Sequence, residues 1–217
     1  MATSDGSGIV DRVTHDDSDL ALDPLNDWLR GRHALTGVAP DWDIRDLPDD
    51  PAVLFAEWLR AAAAAGVAEP HTVTLATVDA DGIPDARTLI LKRIDERGWA
   101  FASTRSSRKG AQLGAVPAAA LNFWWQPQVR AVRVRGRVEE ATPEESAADL
   151  AARSAAAQAG IADGDWVLWR IVPSRIEFWQ GETDRNHTRL VYEASADGWS
   201  RALSGRAADR IEEEARA

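Results

Sequence analysis

The chain has 217 residues, 45% hydrophobic and 28% charged, which is enough for one sizeable core, and it carries a net charge of -10 with a pI near 4.9. A field of that sign repels nucleic acid and anionic membranes, and no apolar run approaches the ~20 residues that span a bilayer, so neither is expected as a partner. There is no Cys, which removes disulfides, thiolate metal sites and cysteine nucleophiles together and fits a reducing cytoplasm.

Residues 1–22 read as a polar, acidic, disordered tail without the basic and apolar regions of a signal peptide. Asp23 to Arg32 reads as a short helix, and residues 41–50 as turn-rich. A stronger helix follows: Asp50 caps it, Pro51 suits its first turn, Val53, Leu54, Trp58 and Leu59 form its apolar stripe, and Gly66 ends it. The period then changes. Thr72 to Val78 and Ala86 to Ile94 read as strands joined by the turn Asp79-Ala80-Asp81-Gly82. Trp99 to Ser103 and Ala118 to Trp125 are further strands, with a short helix from Ser106 to Ala115 between them. Val129 to Glu139 alternates apolar and basic residues at period two, with Gly136 placed for a bulge. Thr142-Pro143-Glu144-Glu145 opens a helix that runs to about Ala157. Residues 165–171, 175–179 and 188–193 read as strands, and 204–217 as a charged amphipathic helix or frayed tail.

Short strands with few helices between them predict a mainly β chain with helices (α+β), folded as an antiparallel barrel and not as a parallel doubly wound sheet. Neither G-x-G-x-x-G after a strand nor a P-loop occurs. The expected division is a tail over 1–22, a barrel domain over 23–200 and a charged tail or helix over 201–217. Ten Trp against one Tyr point first to core and interface packing.

Three basic clusters stand out against the acidic background. Arg87 and Lys92 lie in an apolar strand, five positions apart and so on opposite faces if the strand is regular; a strand this apolar is expected to be buried on both sides, where charges need partners. Ser106-Ser107-Arg108-Lys109-Gly110 brings two hydroxyls and two cations to a helix start, an arrangement that binds anions. Trp179 to Arg189 gathers an aromatic, Arg185, His187 and Arg189 after a strand. Taken singly, each has a plainer reading: a solvated helix start, a structural ion pair, a surface histidine.

In order, E-P-H-T-V-T-L-A-T-V-D-A-D-G-I-P, A-R-T-L-I-L-K, D-E-R-G, S-S-R-K-G, V-R-V-R-G and I-E-F-W-Q-G…R-N-H-T-R resemble the pyridoxamine 5'-phosphate oxidase family from about Asp23 to Trp199. The resemblance implies an FMN-binding split barrel that works as a cytoplasmic homodimer on a small-molecule substrate, with sites between subunits and no metal. It implies that Arg87, Arg108 and Lys109 bind the FMN phosphate, that Thr88, Leu89, Ile90, Leu91, Lys92 and Ser103 lie along the flavin, and that Trp179 and Arg189 complete the site from the partner subunit. Lys92 and Arg153 would hold a substrate phosphate, while Arg185 and His187 would sit over the flavin and act on the substrate. The implied reaction is hydride transfer from pyridoxamine or pyridoxine 5'-phosphate, or a related small amine, to FMN, with reoxidation by oxygen.

The chain departs from that pattern in several places. Ala131 stands where the family has a flavin-contacting Gln, Asp149 where it has a phosphate-binding Tyr, and Ala157 where it has a Ser. The family is considerably longer between Arg153 and Trp179, where it carries a further Gln-Ser flavin contact, and its R-L-x-P ending is replaced by residues 201–217. The substrate phosphate site therefore suffers more than the FMN phosphate site. That asymmetry predicts FMN binding with a substrate other than pyridoxamine 5'-phosphate, or weak binding of that one. Three further readings stay open: a secondary-metabolism enzyme with a dihydrophenazine-like substrate, a non-catalytic FMN- or pyridoxal-phosphate-binding protein, and a split-barrel reductase using a different flavin.

Overall fold

A computed structural model describes residues 22–216. The tail expected over 1–22 lies, apart from Leu22, outside the described residues. The chain divides after Ala34 into two compact units. The described part of the first is α1 (Leu22–Arg30) and its following turn, where the Arg32 guanidinium lies 4.6 Å from the centre of the Trp28 ring.

The first helix of the second unit is α2 (Pro51–Ala64). Asp50 caps it by accepting from the Ala52 N–H at 2.8 Å, and Leu54, Phe55 and Trp58 are buried while Val53 is exposed. Four strands follow: β1 (Thr72–Val78), β2 (Pro84–Ile90), β3 (Arg93–Asp95) and β4 (Gly98–Thr104). Next come α3 (Arg108–Ala115), β5 (Ala118–Trp125), β6 (Arg130–Glu140), α4 (Pro143–Ala151) and α5 (Ala155–Gln158). The chain closes with β7 (Trp166–Gln180), β8 (Thr188–Ser195), β9 (Gly198–Ser204) and α6 (Arg206–Arg216).

The strands form one antiparallel sheet in the order β2-β1-β5-β6-β7-β4-β3, with β8 on β7 and β9 on β8. β7 is shared. Its first part, from Trp166 to Ile171, pairs with β4, and its last part, from Arg175 to Gln180, pairs with β8. Between β2 and β3 the chain changes neighbours: the Leu91 N–H donates to His71 O at 3.0 Å and the Lys92 N–H to Ala100 O at 2.8 Å. That step links the two ends of the sheet and makes the α+β split barrel that the sequence predicts. α2 fills it. Phe55 meets Trp99 at 4.4 Å and Phe123 at 4.8 Å between ring centres, and Trp58 meets Phe178 at 5.2 Å. Each such side chain contributes roughly 1.5–3 kcal/mol by burial. No helix among the described residues is long and apolar enough to cross a membrane.

Local departures from the sequence expectations have physical causes. The strand expected over 86–94 breaks at Leu91-Lys92, so face parity does not carry from Arg87 to Lys92. Nor is β2 buried on both sides: it is an edge strand, and Ala86, Thr88 and Ile90 are exposed in the single chain. Residues 165–171 and 175–179 are one strand, not two. Pro173 is tolerated because β6 shifts register between Arg135 and Gly136, and a Cβ at Gly136 would lie 1.9 Å from Val172 O. The helix opened by the Thr142–Glu145 capping box stops at Ala151, and Ser154 caps the short α5 instead. β9 and α6 occupy the C-terminal segment; the weak alternation of β9 gave no strand signal.

Candidate active site

The first two basic clusters meet. β2 aims Arg87 inward, where its guanidinium bonds the Thr77 hydroxyl and, at 2.9 Å each, Gln112 Oε1 and Asp85 Oδ2. α3 begins beside it. Ser107 caps this helix, accepting from the Gly110 N–H at 3.2 Å. A Cβ at Gly110 would lie 2.3 Å from Arg105 O, so glycine lets the first turn of α3 press against the end of β4. Arg108 Nε then reaches the same Asp85 Oδ2 at 3.1 Å. Burial pushes the Lys109 ammonium down from its ordinary pKa, and the charge of Arg87 pushes it the same way. Three cations from two elements thus share one small volume. The hydroxyls expected to help are engaged within the protein: Ser106 donates to Asp165 at 2.6 Å, and Ser107 to Thr104 O at 2.7 Å.

This donor set fits a phosphate dianion, which would relieve the mutual repulsion of Lys109 and Arg87. Asp85 is the competing acceptor. Its carboxyl is held below the usual range by the Gln112 hydrogen bond, against a burial effect, with help from Arg87 and Arg108. Sequence reasoning missed Asp85, Thr77 and Gln112. Asp85 had a signal, since it stands two residues before Arg87 on the same face of β2; Gln112 had none.

Around this cluster, Ser103 is buried with its Oγ 2.9 Å from that of Ser107, Leu89 and Leu91 pack on the core, and Thr88 and Ile90 are exposed. Lys92 Nζ lies 3.6 Å from Asp149 Oδ1, and the Arg153 guanidinium stacks on Trp166 at 4.5 Å.

The third cluster sits elsewhere. Trp179 is at the far end of β7 from Trp166, roughly 40 Å along an extended strand. There the His187 ring centre lies 4.8 Å from that of Trp179, and His187 Nδ1 accepts from the Glu182 N–H at 2.9 Å, which leaves Nε2 to carry the proton of the neutral ring. Arg185 is exposed on a left-handed backbone with φ 71. Arg189 Nε pairs at 3.1 Å with Glu177, a carboxylate only 2% exposed that also meets Arg133 and Arg175. Glu177 was not singled out from sequence, although an acid inside I-E-F-W must have partners. Ala131 sits in register between Trp124 and Trp179, whose ring centres are 6.0 Å apart across it.

A cleft of about 1030 Å³ among the described residues is lined by none of the three clusters; Asp50, Val53, Glu57, Ile94 and Trp199 are among its walls.

Fold and basic cluster together define a split-barrel protein in which Arg87, Arg108 and Lys109 gather near Asp85. The family profile described as pyridoxamine 5'-phosphate oxidase matches residues 59–180, and that of the pyridoxine 5'-phosphate oxidase C-terminal dimerisation region matches 166–203. The chain belongs to the pyridoxamine 5'-phosphate oxidase family, a family of oxidoreductases. It is 39% identical over 192 residues to the pyridoxine/pyridoxamine 5'-phosphate oxidase of Burkholderia vietnamiensis, covering 73% of this chain and 90% of the relative. The corresponding enzyme of Thermosynechococcus vestitus is 38% identical over 187 residues, covering 72% and 89%. Among solved structures, PhzG from Burkholderia lata in complex with tetrahydrophenazine-1-carboxylic acid superposes with a TM-score of 0.71 at 25% identity, over 78% of this chain and all of that one. A pyridoxamine 5'-phosphate oxidase-related, FMN binding protein from Nostoc punctiforme shares the fold, with a TM-score of 0.57 at 18% identity over 74% of this chain and 98% of that one.

Proposed function

We propose that the protein is an FMN-dependent oxidase, acting as a homodimer on pyridoxamine or pyridoxine 5'-phosphate or a related small amine. The observation that carries this reading is the meeting of Arg87, Arg108 and Lys109 beside Asp85. These three hold the FMN phosphate, Thr88 to Lys92 and Ser103 line the ring, and Lys92 and Arg153 face the substrate. Bound FMN supplies a two-electron acceptor for a hydride from a carbon bearing an amine or alcohol. One chain cannot bring the two ends of β7 together, so Trp179, Arg185, His187 and Arg189 complete the site from a second copy, in keeping with the match to a dimerisation region. Arg185 and His187 orient the substrate. His187, fixed through Nδ1, has Nε2 available to move a proton.

Purified protein should carry a chromophore that mass spectrometry identifies as FMN and should release peroxide with an amine substrate; a colourless protein that ignores added FMN would sink the proposal. His187→Ala is expected to retain FMN while turnover drops roughly 10²–10⁴-fold, the usual worth of a positioned acid–base group. Steady-state rates at saturating FMN check this, and unchanged turnover removes His187 from the mechanism. The likeness to PhzG favours one second reading, an oxidase of secondary metabolism acting on a dihydrophenazine-like ring.

A further inference from the structure

Lys92, Asp149, Arg153 and Trp166 form one cluster at the end of β4 where α3 begins. Thr104 pairs with Trp166 across β4 and β7, and the Arg105 N–H donates to Asp165 O at 2.7 Å. Asp149 is pinned on both oxygens: Oδ2 accepts from the Trp166 indole N–H at 2.9 Å, and Oδ1 faces Lys92 Nζ at 3.6 Å. The Lys92 and Asp149 side chains are 28% and 16% exposed, so neither is fully solvated. Arg153 differs. Among the described residues no carboxylate pairs with it, and its buried Nε has no hydrogen-bond partner. It is held by stacking on Trp166.

The formal charge of this cluster is one positive unit, from two cations and one fixed carboxylate. A phosphate dianion placed against it leaves an uncompensated negative charge in a partly dry site, whereas a single carboxylate closes the balance. The planar guanidinium of Arg153 also matches a carboxylate edge with two parallel N–H donors.

We propose that Asp149 acts as a charge filter, so that the substrate group bound between Lys92 and Arg153 is a single carboxylate and not a phosphate. The proposal rests on the flavin-oxidase reading above, which places the substrate at these residues. Asp149 offsets the charge of Lys92, and within this cluster Arg153 is the cation left without a carboxylate partner among the described residues.

The test uses full-length protein loaded with FMN and titrated calorimetrically at fixed salt with two probes, phenazine-1-carboxylate and pyridoxal 5'-phosphate. Wild type should bind the carboxylate more tightly, which tests the proposal without any variant. Asp149→Asn keeps an acceptor for the Trp166 indole and removes only the charge. Because Coulomb energy scales with the charge of the ligand, this change should strengthen binding about tenfold for the monoanion and about a hundredfold for the dianion. Arg153→Gln should weaken the carboxylate by at least about tenfold. Tighter wild-type binding of pyridoxal 5'-phosphate, or an equal gain for both probes in Asp149→Asn, overturns the filter while leaving the flavin reading standing. Failure of the wild-type protein to take up FMN overturns both.

Discussion

Replacing Arg108 and Lys109 together by Ala is expected to strip FMN from the protein without unfolding it. Each charged hydrogen bond to a phosphate is worth roughly 1.5–3 kcal/mol, so losing two costs about 3–6 kcal/mol, or roughly 10²–10⁴ in Kd. The fold should tolerate the change. The Arg108 side chain is 78% exposed, the Ser107 cap and the tight Gly110 contact are untouched, and Asp85 keeps Arg87 and Gln112 as partners. Equilibrium FMN titration alongside circular dichroism makes the comparison. A well-folded double variant with undiminished affinity would mean that the phosphate sits elsewhere.

Glu177→Gln should be the most damaging single change at the other end of the site. Glu177 is 2% exposed and ties Arg133, Arg175 and Arg189 across β6, β7 and β8. Breaking a buried pair costs about 3–5 kcal/mol; the arginines here are partly exposed, so about 2–3 kcal/mol is expected. Burial alone would raise the pKa of Glu177, but the hydrogen bond and charge of Arg133, followed by Arg189, outweigh it and hold the carboxyl below its usual range. A depressed folded pKa stabilises above the unfolded value of about 4.3, and that stabilisation fades as pH falls through the folded pKa. Urea midpoints of wild type and variant should therefore differ most near neutrality and converge in acid. A gap that does not change with pH would assign the loss to packing instead of charge.

Much of the barrel was readable because its strands carry clear local marks. β1 and β6 alternate at period two, Asp50-Pro51 and Thr142-Pro143 announce helices, and Gly136 marks the bulge. β9 was not readable, because it lies exposed on the edge and its neighbours impose no apolar rhythm. The meeting of Arg87 with Arg108 and Lys109 could be guessed from motif order, but the Asp85 carboxylate that Arg87 and Arg108 share was not singled out. Gln112 and Thr77 are ordinary residues that matter only once α3 lies over β1. The Lys92–Asp149 pair was hidden for a related reason: the break at Leu91 turns Lys92 in a direction that strand parity does not predict.

The length of β7 also has a genetic side. The start of α3 lies near Trp166 and the His187 hairpin near the opposite end of β7, so in the proposed two-copy site a lesion at each place strikes a different chain's contribution. Chains bearing Arg108→Ala with Lys109→Ala and chains bearing His187→Ala should each turn over poorly alone, yet co-expression should revive activity, since a mixed pair contains one unblemished centre. If mixing never restores turnover, each polypeptide works unaided.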